Sequence, residues 1–427
     1  MNCAHTLYVC YFGLREPLVQ TQVLSYLRQL KSDSLRVSLL TFEPRFHQTW
    51  SPEELETQRK ALAVEGITWH CLPYHKAPSL PATLYDIAAG TRAIMRIMRQ
   101  NGVSILHARN HVPALMGAIA KRLKGAQLIF DIRGFMPEEY TDAGVWPENG
   151  YLYRGLKRVE RSLLKSSDAF VLLTQKARDI VFPGFREADQ NGRPIEVIPC
   201  CVDFERFDAV ATVSRESLRQ RLNLANRRVI AYVGSFGGWY MTDEMTEFLA
   251  VAHQQDPSTY SMILTQSPKQ LVIDRMHSLG IDEKDFAVTQ VSPEEVPSYL
   301  KAADMAISFI KPCYSKQSSS PTKIGEYLAS GLPIVCNAGV GDLDTLIEDK
   351  QTGALLREFT PEAYLKALEK IDAMRSDQNL AERLREVARA EFDLVRVGRT
   401  RYRRLYDRLR DKYEREPARR EHRSPAM

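Results

Sequence analysis

The stretch SSSPTKIGEYLASGLPIVCNAG, residues 318–339, joins a deliberately started helix to a short strand of β-branched residues. Repeated along a chain, that step builds a parallel sheet covered by helices. Ser320 suits the N-cap and Pro321 the first helical position, where a missing N–H is no loss. The amides of Thr322 and Lys323 then fall among the orphan donors at the positive end of the helix dipole. The hydroxyls of Ser319 and Thr322 and the ammonium of Lys323 crowd the same tip, which together make an anion site. Gly325 costs about 1 kcal/mol against alanine inside a helix, and so predicts a close approach to its backbone. Glu326 lies one turn past Thr322 on the same face. There its carboxylate reaches a group beside a bound phosphate and is able to accept two hydrogen bonds from a vicinal diol. The other reading is a capped surface helix with a Lys323–Glu326 pair, and the helix alone does not choose between them.

Outward from this stretch, the same alternation fills the chain. In the first half, TLYVCYF (6–12), LRVSLLTF (35–42), ITWHCLPY (67–74), VSILHA (103–108), QLIFDI (127–132) and DAFVLLT (168–174) read as strands. Amphipathic helices separate them, the first over 19–31 with Val19, Val23, Leu27 and Leu30 on one stripe. IEVIPCCVDFERF (195–207) reads as a short strand and a turn-rich joint. Beyond it, strands are predicted at 227–235, 259–266, 285–290, 304–310 and 333–337, and residues 361–415 are predicted to be helical throughout. The result is an α/β chain of two Rossmann-like, doubly wound parallel-sheet domains, 1–198 and 199–392. A helix over 393–415 braces the first domain through Tyr402, Leu405, Tyr406 and Leu409, and a basic, disordered tail occupies 416–427. Open parallel sheets bind ligands beyond the carboxyl ends of their strands, so the chemistry is expected in the loops there, across a cleft between the two domains.

Bulk properties narrow the class. A chain of 427 residues exceeds one ordinary core. Its 44% hydrophobic and 26% charged content is that of a soluble globular protein. No run of about 18 apolar residues suggests a membrane span. The start, MNCAHTLYVCYFG, reads as a strand and not as a signal peptide, and a cytoplasmic location is expected. Seven cysteines show no metal spacing; Cys200-Cys201 is either a redox pair or two structural thiols, and reduced thiols suit that compartment. From Arg396 onward there are twelve Lys or Arg and five Asp or Glu, whereas the whole chain is +5. The basicity thus sits in the tail, which argues against a nucleic-acid-binding body.

Several segments together resemble the retaining family-four glycosyltransferases of GT-B fold, which move a sugar from a nucleotide donor. VIPCCVDFERF (197–207) resembles their interdomain stretch, and VSPEEVPSYLKAADMAISFI (291–310) the segment ending in a strand opened by Asp. EYLASGLPIVCNAGVGDLDTLI (326–347) resembles their donor-site segment. EPLVQTQVLSYLRQL (16–30) and YVGSFGGWYMTDEM (232–245) look like a subgroup tied to bacterial surface polysaccharides. The resemblance implies that Glu326 grips the ribose of a nucleotide sugar of UDP type. It places Ser318 where the family carries a glutamate on the donor sugar. GSFGGWY (234–240) lacks the family's Arg and Lys near the diphosphate. Its Gly237 and Gly238 suit close backbone approach, and the charge falls to Lys323, with Lys269 or Lys311 as alternatives. On the acceptor side, Gly13 admits the diphosphate or acceptor, while Arg15 is either a site residue or a plain loop arginine. Arg109 and Arg133 are expected as catalytic cleft residues beside Lys323 and Ser318. Asp131, Glu138 and Glu139 are weaker candidates, and His107 is either a site residue or a satisfied core histidine.

The resemblance further implies transfer of a hexose-type sugar with retention, to a glycan or lipid-linked acceptor, in cell-surface polysaccharide synthesis. No metal and no cofactor are expected. The helix amides, hydroxyls and Lys323 take the charge developing on the diphosphate. Asp342-Leu343-Asp344 mimics a metal motif but stands at a helix start, where capping is the simpler role. The tail's arginines suit attachment to an anionic membrane surface. Two rivals share this architecture: a sugar-nucleotide epimerase, and a non-catalytic nucleotide-sugar-binding protein.

Overall fold

Runs of Val, Ile, Leu and Tyr form strands in both halves of the chain, and every paired strand is parallel to its neighbour. The computed structural model describes residues 4–31 and 35–421, and side chains as far as residue 411. Two compact units divide the chain: residues up to Ile198 together with those from Gly398, and residues Pro199–Val397.

The first unit carries a sheet of β1 (Ala4–Cys10), β2 (Leu35–Pro44), β3 (Ile67–Tyr74), β4 (Ile105–Arg109), β5 (Gln127–Ile132), β6 (Ala169–Leu172) and β7 (Ile195–Val197). Their order is β3-β2-β1-β4-β5-β6-β7. The short strand at the expected joint is therefore the last strand of this sheet. Alternation splits the strands between two faces. Leu7, Val9, Leu106, Ala108, Leu128 and Phe130 join Ile94, Met116 and Leu163 from helices Ser79–Asn101, His111–Lys124 and Tyr151–Ser166 in one core. Tyr8, His107 and Asp131 point the other way, toward the helix Thr400–Glu421.

That last helix is built into the first unit. Tyr402, Leu405, Tyr406 and Leu409 are buried. The Tyr406 hydroxyl lies 3.1 Å from Thr6 Oγ1 and 2.8 Å from His107 Nδ1, and Tyr402 stacks edge-on against Tyr26. Its arginines are partly engaged within the same unit: Arg404 grips Glu196 at 2.6 Å, Arg401 donates to the Val197 carbonyl, and Arg408 to that of Glu187. The helix continues to Glu421 through much of the stretch expected to be disordered; residues 422–427 lie outside the described residues. Nor is 361–415 continuous: helices Pro361–Arg375 and Leu380–Phe392 and a π-turn over Leu394–Arg399 precede it, separated where Asp377 and Asp393 accept backbone N–H groups. A further π-turn, Gln20–Leu24, interrupts the first predicted helix.

The second unit carries β8 (Arg228–Val233), β9 (Thr259–Leu264), β10 (Phe286–Thr289), β11 (Met305–Ser308), β12 (Ile334–Asn337) and β13 (Gly353–Leu356), in the order β10-β9-β8-β11-β12-β13. Strand β13 escaped the pattern reading because it is four residues long and opens with glycine. No cysteine among the described residues is in a disulfide, Cys200 and Cys201 included.

Candidate functional site

Three loops at the carboxyl ends of β8, β11 and β12 are stitched together in the second unit. The Met241 N–H donates to the Phe309 carbonyl and Lys311 N–H to that of Trp239, joining the first two. Asn337 both accepts from Ile310 N–H and donates to its carbonyl at 2.8 Å, and Gly341 N–H donates to Lys316, joining the third. The helix Thr322–Ala329 enters this cluster with its amino end. Tyr327 fixes the helix, its hydroxyl accepting from Val233 N–H at 2.8 Å and reaching the Ile307 carbonyl.

Lys323 is the centre of the cluster. Its ammonium donates to the Tyr232 hydroxyl at 3.2 Å and lies 4.3 Å from the ring centres of both Tyr232 and Tyr240. The residue is only 6% exposed, and no carboxylate among the described residues comes within ion-pair distance of it. Burial pushes its pKa down to about 7, with Glu326 pulling weakly the other way. Space for the ammonium comes from Gly234, at φ 143°, where a Cβ would stand 2.5 Å from Nζ. Lys316 lies nearby in the same loops, 3.9 Å over the Trp239 ring. Glu326 faces Arg206 at 3.6 Å. Burial raises its pKa, against the pull of Arg206 and Lys323.

Several expected roles change. The helix begins at Thr322 with Pro321 at the cap, because the Ser320 hydroxyl is taken by the Cys200 N–H at 3.1 Å. The approach that Gly325 permits is to Val202 and Phe392, 2.6 and 3.2 Å from a Cβ placed there, and not to a ligand. Ser318 is buried and donates its hydroxyl to the Ser315 carbonyl at 2.7 Å, so its proton is committed to the chain. Ser319 and Thr322 are half-buried at the tip. Gly237 and Gly238 form a left-handed turn, φ 74° and 60°, with open space beside each. Lys269 and Lys311 are exposed. Asp344 accepts from Gly339 N–H within its own loop, and Asp342 stands at the cap of Leu343–Glu348.

In the first unit, register sets Cys10, Arg109 and Asp131 side by side at the carboxyl ends of β1, β4 and β5. Asp131 is wholly buried. Arg133 lies 3.5 Å from it, His107 3.4 Å, and the Tyr8 and Tyr402 hydroxyls donate to it at 3.3 and 3.4 Å. Burial opposes its ionisation, but Arg133, His107 and Arg109 together hold its pKa well below the usual carboxylate range. His107 is thereby a core histidine, its pKa lowered by burial. Arg109 is buried in this cluster too, with Nη1 unpartnered among the described residues. Gly13 packs on its own unit: a Cβ there would meet Pro44 at 2.7 Å. Arg15 pairs with Glu54 over Trp50 as a loop arginine. Glu138 is held by Lys157 and Tyr153, and Glu139 lies against Gly134. Sequence reasoning missed Arg206, Tyr232 and Tyr240. Only the aromatic content of 232–240 was a signal for the last two.

The same architecture occurs in solved structures. A sucrose-phosphate synthase of Thermosynechococcus elongatus matches with a TM-score of 0.73 at 15% identity, over 96% of this chain and 100% of that one. The HepE protein of Anabaena, in complex with UDP and glucose, matches with a TM-score of 0.64 at 16% identity, over 95% and 100%. The fold is therefore GT-B. Residues 19–201 match the family model "Glycosyl transferase 4-like domain", and residues 214–391 match "Glycosyl transferases group 1". The chain belongs to the family-four glycosyltransferases. A D-inositol 3-phosphate glycosyltransferase of Salinispora tropica is 24% identical over 68% of this chain and 61% of its own length. An alpha-D-kanosaminyltransferase of Streptomyces kanamyceticus is 23% identical over 57% and 61%. The chain thus spans about three fifths of the length of these curated relatives.

Proposed function

We propose that the protein transfers a hexose-type sugar, with retention, from a nucleoside-diphosphate donor of UDP type to a glycan or lipid-linked acceptor of surface-polysaccharide synthesis. One observation carries the reading: a buried ammonium, Lys323, at a helix amino end, has no carboxylate within ion-pair distance among the described residues. Buried charges in proteins are paired, so the missing anion is a ligand's. A diphosphate supplies it, and the HepE protein with UDP gives the precedent within the fold. In this reading the amides of Thr322 and Lys323, the hydroxyls of Ser319, Ser320 and Thr322 and the Gly237–Gly238 turn line the diphosphate. Charge developing on it at bond cleavage is met by Lys323 and the helix dipole, without calling on a divalent ion. Glu326, oriented by Arg206, takes the ribose hydroxyls. Arg109 and Arg133, two guanidinium groups against one carboxylate, are the acceptor-side candidates. A lipid-linked acceptor fits enzyme working on the inner face of a membrane, with the tail's remaining cations contributing; among the described residues no helix is long and apolar enough to cross one.

Calorimetry with UDP tests the site. Glu326→Ala removes charge-assisted hydrogen bonds of about 1.5–3 kcal/mol, so affinity is expected to fall roughly 10- to 100-fold. Unchanged affinity would remove Glu326 from the donor site. Gly234→Ala is expected to dislodge the ammonium and weaken UDP binding by about tenfold, with a stability loss of about 1–3 kcal/mol. A donor panel then separates the chemistry. Acceptor-dependent release of UDP marks transfer; interconversion of the donor sugar, or binding without turnover, contradicts it.

A further inference from the structure

Charge in the first unit is distributed in a way the whole-chain balance conceals. Helices Ser79–Asn101, His111–Lys124 and Tyr151–Ser166 carry eleven Lys or Arg, three, three and five respectively, and only two carboxylates, Asp86 and Glu160. Both carboxylates are turned to internal partners: Asp86 accepts from Tyr11 at 2.7 Å and lies 2.6 Å from His75, and Glu160 meets His111 at 3.0 Å and Lys157. Nine of the cations are exposed and have no carboxylate partner among the described residues, including Arg154, Arg158, Arg161 and Lys165 on one stripe of the last helix.

The three helices form one layer, since His111–Lys124 packs beside both of the others. They cover the sheet face opposite the one that holds the tail helix. Their amino ends lie at the carboxyl edge of the parallel sheet, as crossover helices must. Exposed apolar side chains gather there: Leu80, Leu84 and Tyr85, at 56%, 56% and 62%, and Tyr151 and Leu152, at 93% and 50%. The cations spread from this rim toward the other ends of the helices. Arg109 and Arg133 stand at the same edge of the sheet.

We infer that this helix layer, and not the C-terminal tail, is the principal surface with which the protein docks on an anionic lipid bilayer. The apolar rim enters the interface and the basic stripes meet the headgroups, the division of labour found in interfacial helices. Interleaved leucines and tyrosines favour a bilayer over a nucleic acid, whose backbone offers those side chains no apolar contact. The inference takes from the proposed function only the lipid-linked acceptor, whose sugar-accepting end would then arrive at the carboxyl edge. The tail is the weaker anchor because Arg401, Arg404 and Arg408 already serve the first unit.

Co-sedimentation of the full chain with vesicles tests this without donor or turnover. Wild type is expected on vesicles of phosphatidylglycerol and phosphatidylcholine, released by high salt, and absent from pure phosphatidylcholine. Arg154→Glu, Arg158→Glu and Arg161→Glu together should lower partitioning at least about tenfold. Tyr151→Ser with Leu152→Ser should lower it severalfold, and Arg403→Glu with Arg410→Glu in the tail should leave it within about twofold. These sites are exposed or half-exposed, and an unchanged melting temperature shows that the variants fold. Failure of wild type to bind, unaltered binding by the triple variant, loss of binding by the tail pair, or tighter capture of duplex RNA than of vesicles would each overturn the inference. UDP binding, measured on the same variants without vesicles, stays at the wild-type value if the donor site is as proposed, so the two readings fail separately.

Discussion

Lys323→Met is expected to lower nucleotide-sugar turnover about 100- to 1000-fold, the usual effect of deleting an electrostatic stabiliser of a leaving group, while making the unliganded protein more stable. The two effects have opposite signs for one reason. Without a ligand, the ammonium is a buried charge whose company is two tyrosines, Tyr232 and Tyr240, the first of which also accepts its hydrogen bond. An apolar side chain of similar length removes that burden. Lys323 titrates near pH 7 in the folded protein and near 10.5 when free. Between those values the unfolded chain binds more protons, so Lys323 makes stability rise with pH across that window, and below it the full penalty of a buried ammonium is felt. Thermal denaturation at pH 6.5 and 9 should show this slope in wild type and its loss in the variant. A bound diphosphate restores the proton, so UDP binding near pH 8 should take up protons, seen as a calorimetric enthalpy that depends on the buffer. Full activity in Lys323→Met, or no proton uptake by wild type, would remove the residue from the diphosphate site.

Asp131→Ala is expected to destabilise the first unit by about 3–5 kcal/mol, the range for removing one member of a buried ionic cluster. The loss leaves Arg109 and Arg133 buried without their carboxylate and takes the acceptor from Tyr8 and Tyr402. Because its folded pKa lies below the unfolded value, the carboxylate contributes fully at neutral pH. That contribution is lost as pH falls below about 4 toward the folded pKa. Urea denaturation at pH 7 and at about pH 2.5 should therefore show a gap between wild type and variant that narrows in acid. A change of less than about 1 kcal/mol at pH 7 would mean that the cluster does not hold the tail helix to the sheet.

What could be read without coordinates was what repeats. Gln127–Ile132 falls where the pattern puts it because a strand buried on both faces advertises itself locally. Ile67–Tyr74, at the sheet edge, shows itself instead by alternation, with Ile67 and Trp69 buried and Thr68 exposed. The helix tip was legible for a similar reason: proline, hydroxyls and a lysine lie within five residues of each other. Its surroundings were not. Gly325 signals a close approach but not its source, and Val202 is more than 120 positions away in sequence. Tyr232 and Tyr240 read as strand and loop aromatics until folding brings them onto Lys323. Ser320 has the chemistry of a cap, yet a backbone N–H from residue 200 claimed it. Net charge misled by averaging, since a chain balance near zero before residue 396 says nothing about which helices face outward together.

The helix Thr400–Glu421 gives the molecule an order of assembly. As the polypeptide leaves the ribosome, residues up to Ile198 emerge before the Tyr402 and Tyr406 hydroxyls that meet Asp131, Thr6 and His107. The later-made domain, which depends on no segment outside 199–397 for its own core, is free to finish first. The earlier-made one is completed only once residues from Gly398 onward have been added, and until then its open sheet face is in reach of chaperones and proteases.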